Sequence, residues 1–402
     1  MRRPAFLAIL LAIVTCSGTA AVKTGADILV ERRLDILRGR QVGLVTNQTG
    51  RLSNGAFLVD ALLKDGIRVT ALFGPEHGIR GNADEGARIA DGRDPKTGIT
   101  VFSLYGRTNK PTPEMLRGVD ILVYDIQDVG ARFYTYISTL SLVMEAAAES
   151  HIPVVVLDRP NPLGGLIVDG PVRVDSLASF VAFSPIPVVY GLTCGELATM
   201  INEEHWLANR VTADLTVIPM EGWQRSMFWP ETGLRWIAPS PNIPTFRAAL
   251  AYPATCFIEA TNLSEGRGTR APFTTFGAPF IDGPFLAGVL AGRHHGDIRF
   301  SSVDFTPRRS KHTGQLCHGV ALEVTATDAY HPVRLGVDLL LAAAAACPDS
   351  MHINVRGLNR LMGDPEVVRM ILEGGEAARI AASWEDDVTT FRERSKRYYK
   401  YP

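Results

Sequence analysis

From Gln41 to about Pro219 the chain alternates short apolar runs with amphipathic stretches, and this alternation constrains its fold more than any other feature. Residues 42–46 (VGLVT), 69–73 (VTALF), 120–124 (DILVY) and 153–157 (PVVVL) are short and almost wholly apolar, as strands covered on both faces are. Between them, 57–63 and 136–147 repeat apolar residues at helical spacing. Strand and helix in alternation predict βαβ units and a parallel sheet. Residues 99–104, 186–190 and 215–219 read as further strands, with 113–116 and 196–206 as helices. Residues 239–244 (PSPNIP) must be a rigid loop, because proline fixes φ and lacks a donor. After it, 247–257 reads as a helix.

Beyond Arg270 the texture changes. Strand-like 298–305 and 320–324 surround a helical 284–292, and 333–346 is an alanine-rich helix. The expected architecture is α/β: a doubly wound parallel-sheet domain over 22–270, and a smaller C-terminal α/β domain over 271–402. Two domains suit a chain of 402 residues, which exceeds the usual size of a single core.

Residues 1–21 read as a targeting segment. Arg2 and Arg3 precede an apolar run over 5–14, and small residues follow through Ala20 and Ala21. Cleavage there is expected, with lipid attachment at Cys16 or retention as an uncleaved membrane anchor the alternatives; each sends the chain out of the cytoplasm. The other cysteines, Cys194, Cys256, Cys317 and Cys347, allow three pairings, and spacing does not choose among them.

Charge excludes some functions. With 41 basic against 42 acidic residues the net charge is -1, so no dominant overall field draws the chain to nucleic acid or an anionic membrane, though local patches stay open. No CxxC or HExxH spacing supports a zinc site. His294-His295 and Cys317-His318 read as loop or edge residues rather than ligands. Gly266-Arg267-Gly268-Thr269-Arg270-Ala271 imitates a dinucleotide fingerprint but opens no helix in a βαβ unit. Thr193 and Glu196 fit a capping box better than a nucleophile elbow. No metal or cofactor is expected.

Ligands of open α/β sheets sit beyond the carboxyl ends of the strands. Four such ends here are unusually polar: Asn47 after the first strand, Gly74-Pro75-Glu76-His77-Gly78 after the second, Asp125 to Arg132 after DILVY, and Asp158-Arg159 after PVVVL. Glu76, on a stiff turn, suits a general acid whose pKa is raised by partial desolvation; a turn-capping role is the plainer alternative. Asp125 or Asp128 offers a second carboxylate, unless Asp125 pairs with Arg132 to order its loop. Asp158 and Arg159 read as a structural ion pair. Arg132 and Arg267 suit a ligand carboxylate, because guanidinium presents a planar fork. Glu259, Asn262, Glu265 and Arg267 lie in EATNLSEGRGT, either a loop closing over a site or a linker.

The blocks VGLVTNQTG, LFGPEHGIRG, DILVYDIQDVGARFYTY, VLDRPNPLGG, PSPNIPT and EATNLSEGRGT, in that order, resemble the exo-β-N-acetylmuramidases of the NamZ type. The resemblance implies a Rossmann-like catalytic domain with a smaller auxiliary domain. It also implies hydrolysis of terminal β-1,4-linked N-acetylmuramic acid (MurNAc) from peptidoglycan-derived muro-oligosaccharides, with the family's glutamate falling on Glu76. His77 and Asp125 are carried over beside it as catalytic candidates. Asn47, Asp128, Arg132, Tyr134, Glu259, Asn262 and Arg267 are carried over as substrate-binding residues. The competing readings are an exported sugar carrier and a serine esterase or amidase; the absence of G-x-S-x-G argues against the last.

Overall fold

The computed structural model describes residues 21–76, 79, 91–293 and 298–402. The targeting segment with Cys16, His77, and the His294-His295 pair lie outside these residues. Among the described residues ten strands form two sheets. In chain order they are β1 (Gln41–Thr46), β2 (Arg68–Gly74), β3 (Gly92–Arg93), β4 (Thr100–Ser103), β5 (Ile121–Asp125), β6 (Val154–Leu157), β7 (Leu215–Ile218), β8 (Thr275–Ala278), β9 (Ile298–Phe305) and β10 (Cys317–Val324).

The first seven make one sheet in the order β3-β4-β2-β1-β5-β6-β7, parallel except where β3 meets β4. Strand order runs outward from β1 in both directions, so the chain reverses its winding between β1 and β5. Alternate side chains serve opposite faces. Val42, Leu44, Ile121, Val123, Val155 and Leu157 pack with Leu29 and Leu62, from helices Gly25–Arg32 and Leu58–Lys64. Val45, Leu122, Tyr124, Val154 and Val156 pack instead with helices Tyr136–Glu149 and Cys194–Glu203. Covering on both faces is why these strands are apolar along their whole length.

The smaller sheet is antiparallel, β8-β10-β9, and packs with helices Phe246–Thr255 and Gly283–Arg293, which in turn pack with helix Pro332–Ala346. Helices Val355–Met362, Pro365–Leu372, Ala377–Ala382 and Glu385–Ser395 follow. The chain end then returns to the large sheet, where the Tyr401 hydroxyl donates to Asp158 Oδ2 at 2.6 Å. The architecture is thus a doubly wound, Rossmann-like parallel sheet with a smaller α/β part.

Two expectations need correction. Residues 186–190 form no strand: Val189 makes isolated bridges, and the Ile186 and Val188 carbonyls accept from Arg173 and Arg132. Pro185 and Pro187 remove the donors a ladder would need. Residues 113–116 form turns rather than a helix. The capping box is present: Thr193 accepts from the Glu196 amide, and the Glu196 carboxylate accepts from the Thr193 amide. Cys194, Cys256, Cys317 and Cys347 are all free thiols.

Candidate active site

A cavity of about 270 Å³ opens beyond the carboxyl ends of β2 and β4, where the large sheet meets the segments that follow residue 239. Glu76 enters it from the turn after β2, Tyr105 from the end of β4, and Phe133, Tyr134 and Thr135 from the stretch after β5. Ser240, Asn242 and Ile243 come from the proline-rich loop, Glu259 from the 3-10 turn Cys256–Ala260, and Arg267 from the loop after it.

Three groups surround Glu76 with positive charge or donors. Thr135 Oγ1 lies 3.4 Å from its Oε2. The Tyr105 hydroxyl donates to it, and that phenol is pushed up to about 12, first by desolvation and then by the Glu76 charge. Arg267 is the nearby cation; burial pulls its guanidinium down to about 10, with Glu76 opposing.

Glu259 is the second carboxyl of the cavity. Desolvation pushes it up to about 8; the charges of Glu265 and Glu76 add to the rise, while Lys311 and a hydrogen bond with Cys256 oppose it. Arg267 pairs with its Oε1. Glu265 beneath it is nearly inaccessible and takes both Arg267 Nε and Lys311 Nζ at 3.1 Å. Lys311 also donates to the carbonyls of Ile258, Glu259 and Leu263, so one ammonium fixes the whole turn. Gly266 makes the loop possible: its φ is +76°, and a Cβ there would stand 2.6 Å from the Thr275 carbonyl oxygen. Burial pushes the Cys256 thiol up, so it stands in the wall as a neutral group rather than a thiolate nucleophile.

Of the residues singled out in the sequence, the structure brings Glu76, Tyr134, Glu259 and Arg267 together here. Others it places elsewhere. Asp125 is fully buried at the end of β5 and pairs with Arg159, not Arg132 and not the cavity. Asp158 in turn accepts from Thr193, the Gly195 amide, Tyr401 and the Arg159 amide, while the Arg159 guanidinium goes to Asp125, so the two side chains form no ion pair. Asp128 is buried beside Tyr190, whose hydroxyl donates to it at 2.5 Å. Arg132 cannot meet a ligand: its guanidinium is buried and donates to the carbonyls of Pro171, Ile186, Leu361 and Met362 at 2.6 to 3.0 Å. Asn47 is buried and folds back on Thr49. Asn262 ties its loop to residues 350–352 through Ser350 and His352. Sequence reasoning passed over Tyr105, Thr135 and Lys311. Tyr105 at least follows a strand end, which was a usable signal.

Two family models cover the described chain almost completely. Residues 42–247 match "Exo-beta-N-acetylmuramidase NamZ, N-terminal", and 250–401 match its C-terminal counterpart. The peptidoglycan beta-N-acetylmuramidase NamZ of Bacillus subtilis (strain 168) is 44% identical over 382 residues, which is 94% of this chain and 91% of that one. Crystal structures of two DUF1343 family proteins of Bacteroides fragilis NCTC 9343 superpose with TM-scores of 0.88 and 0.78, at 37% and 34% identity. Each covers 95% of this chain and 99% of its own.

Proposed function

The chain belongs to the exo-β-N-acetylmuramidase NamZ family, and we propose that it uses the cavity between Glu76 and Glu259 to cut terminal MurNAc from peptidoglycan. As a member of that family it is a glycoside hydrolase, an exo-acting β-N-acetylmuramidase. The substrate is the non-reducing end of a β-1,4-linked muro-oligosaccharide, and the expected setting is cell-wall turnover outside the cytoplasm, after export on residues 1–21.

Most glycosidases need two carboxyl groups, one to protonate the leaving oxygen and one to carry negative charge opposite the developing cation. The observation that carries the assignment is that Glu76 and Glu259 line one cavity but sit in different environments. Glu259, raised by desolvation, holds a proton near neutral pH and delivers it to the bridging oxygen. Glu76, among the Tyr105 and Thr135 hydroxyls and Arg267, is the charged partner that acts on the anomeric carbon or on a water. This inverts the role read for Glu76 from sequence, where its turn alone suggested the acid. MurNAc differs from N-acetylglucosamine (GlcNAc) by a lactyl ether bearing a carboxylate. Arg267 is the guanidinium lining the cavity and the candidate for meeting it.

The test is MurNAc release from a chromogenic MurNAc glycoside by the wild type, Glu76→Gln and Glu259→Gln. Loss of about a hundredfold or more in each variant is expected. Undiminished release by a folded variant removes that residue from the chemistry, and stoichiometric binding without turnover by the wild type favours a carrier.

A further inference from the structure

A second cavity, of about 340 Å³, opens on the other side of segment 235–243. Its walls come from both sides of the winding reversal: Thr49 and Arg51 follow β1, Gln127 follows β5, and Arg159 follows β6. In open α/β sheets that reversal is the crevice where ligands settle, and no step of the reaction above uses it.

Three guanidiniums line the cavity, those of Arg51, Arg159 and Arg235. Arg159 is committed to Asp125. Arg51 lies 3.6 Å over the Phe57 ring and donates to the Gly55 carbonyl. Arg235 is exposed and forms no ion pair among the described residues. The opposing charges are two buried carboxylates, Asp125 and Asp27, the latter accepting from Thr24 and Ser53. No carboxylate is among the lining residues and Arg159 is neutralised by Asp125, so Arg51 and Arg235 leave the cavity positive. Gln127 Oε1 and Trp229 Nε1 in its wall are buried without a hydrogen-bond partner among the described residues. Positive charge, unused polar atoms and an aromatic wall together suit an acidic sugar.

Ile237 lines this cavity and Ser240 the other, so no more than about 10 Å of chain separates them, roughly the length of one disaccharide repeat. Gln48 fixes that stretch by donating to the Ala238 and Pro239 carbonyls at 2.9 and 3.0 Å. In a glycan strand stripped of its stem peptides MurNAc and GlcNAc alternate, so a free lactyl carboxylate recurs at every second sugar. We propose that this cavity is a distal subsite for the next carboxylate-bearing sugar of the same strand, two residues beyond the MurNAc that is released. The proposal rests on the peptidoglycan reading above.

Binding is measured in a Glu76→Gln background, by calorimetry with MurNAc-GlcNAc, the corresponding tetrasaccharide and a neutral GlcNAc tetramer. The acidic tetrasaccharide is expected to bind about tenfold more tightly than the disaccharide, and the neutral tetramer to gain nothing. Adding Arg235→Glu brings the tetrasaccharide to the level of the disaccharide, whose own affinity does not move. In the active protein, Arg235→Glu lowers kcat/KM for the tetrasaccharide alone, through KM. Equal binding of the two acidic ligands by the Glu76→Gln protein, or equal losses on both from Arg235→Glu, overturns the subsite. Failure of the wild type to release MurNAc from any substrate would instead overturn the catalytic reading, while the titrations still decide the subsite.

Discussion

Arg159 grips Asp125 along two edges, Nε to Oδ1 at 2.6 Å and Nη2 to Oδ2 at 3.0 Å, and both side chains are buried. Removing one partner strands the other in a poor solvent for charge. Arg159→Met is therefore expected to lower unfolding stability by about 3–5 kcal/mol. Adding Asp125→Leu should restore a large part of it, because the double change leaves no orphaned charge. Denaturant unfolding of the three variants measures this. A single-variant loss below about 1 kcal/mol would show the pair to be weak.

Arg132 makes a different kind of junction, joining four backbone carbonyls from three separate segments. Arg132→Met leaves these acceptors without their donor, at roughly 1–3 kcal/mol for each that water does not reach. Marked destabilisation is expected, seen as a lower thermal midpoint. The fraction that still folds should keep the wild-type preference for MurNAc over GlcNAc glycosides. A selective loss of MurNAc turnover would restore Arg132 as a reader of the lactyl group.

These two arginines show what the sequence could and could not convey. The parallel strands were legible because double-sided burial makes β1, β2, β5 and β6 apolar along their length. The edge strand Gly92–Arg93 has only two residues and no such pattern, and 186–190 has the apolar pattern but prolines that prevent pairing. The turn bearing Glu76 announced itself through Gly74, Pro75 and Gly78. Arg132 misled because its partners are carbonyls, which leave no mark on composition. Lys311 was invisible for the converse reason: its acceptors lie some fifty residues upstream, and only the packing of the loop onto 256–265 brings them within reach.

Proton donation by Glu259 gives activity a definite dependence on pH. The protonated form is the competent acid, so kcat/KM should fall as pH rises through about 8. Neighbouring charges move that limb in opposite directions. Glu265→Gln removes a negative charge that raises Glu259, and shifts the limb down; Lys311→Met removes a positive charge that lowers it, and shifts the limb up. Loss of loop order alone would lower the whole profile without moving its limb. Rate profiles of the folded variants separate the two, and an unmoved limb in both excludes Glu259 as the acid.

Asp128 links protonation to stability. Its Oδ2 accepts from Tyr190 and from the Gly130 amide at 2.7 Å, while Oδ1 is buried with no hydrogen-bond partner among the described residues. Desolvation outweighs these bonds and that of the Val129 amide, and pushes the carboxyl up to about 6, from an ordinary 3.8. The folded chain thus holds this proton more tightly than the unfolded chain does. The resulting stability is fully present below the ordinary value and is lost as pH rises through about 6. Two pKa units correspond to about 3 kcal/mol. Asp128→Asn puts an uncharged amide in the same space, with Oδ1 free to accept from Tyr190 and Gly130. The variant should unfold within roughly 1 kcal/mol of the wild type at about pH 4 and exceed it by up to about 3 kcal/mol at about pH 8. Asp158, also raised to about 6, slopes the same way in both proteins and cancels in the difference. Two stability curves that run parallel across this range would mean that Asp128 does not hold its proton into the neutral region.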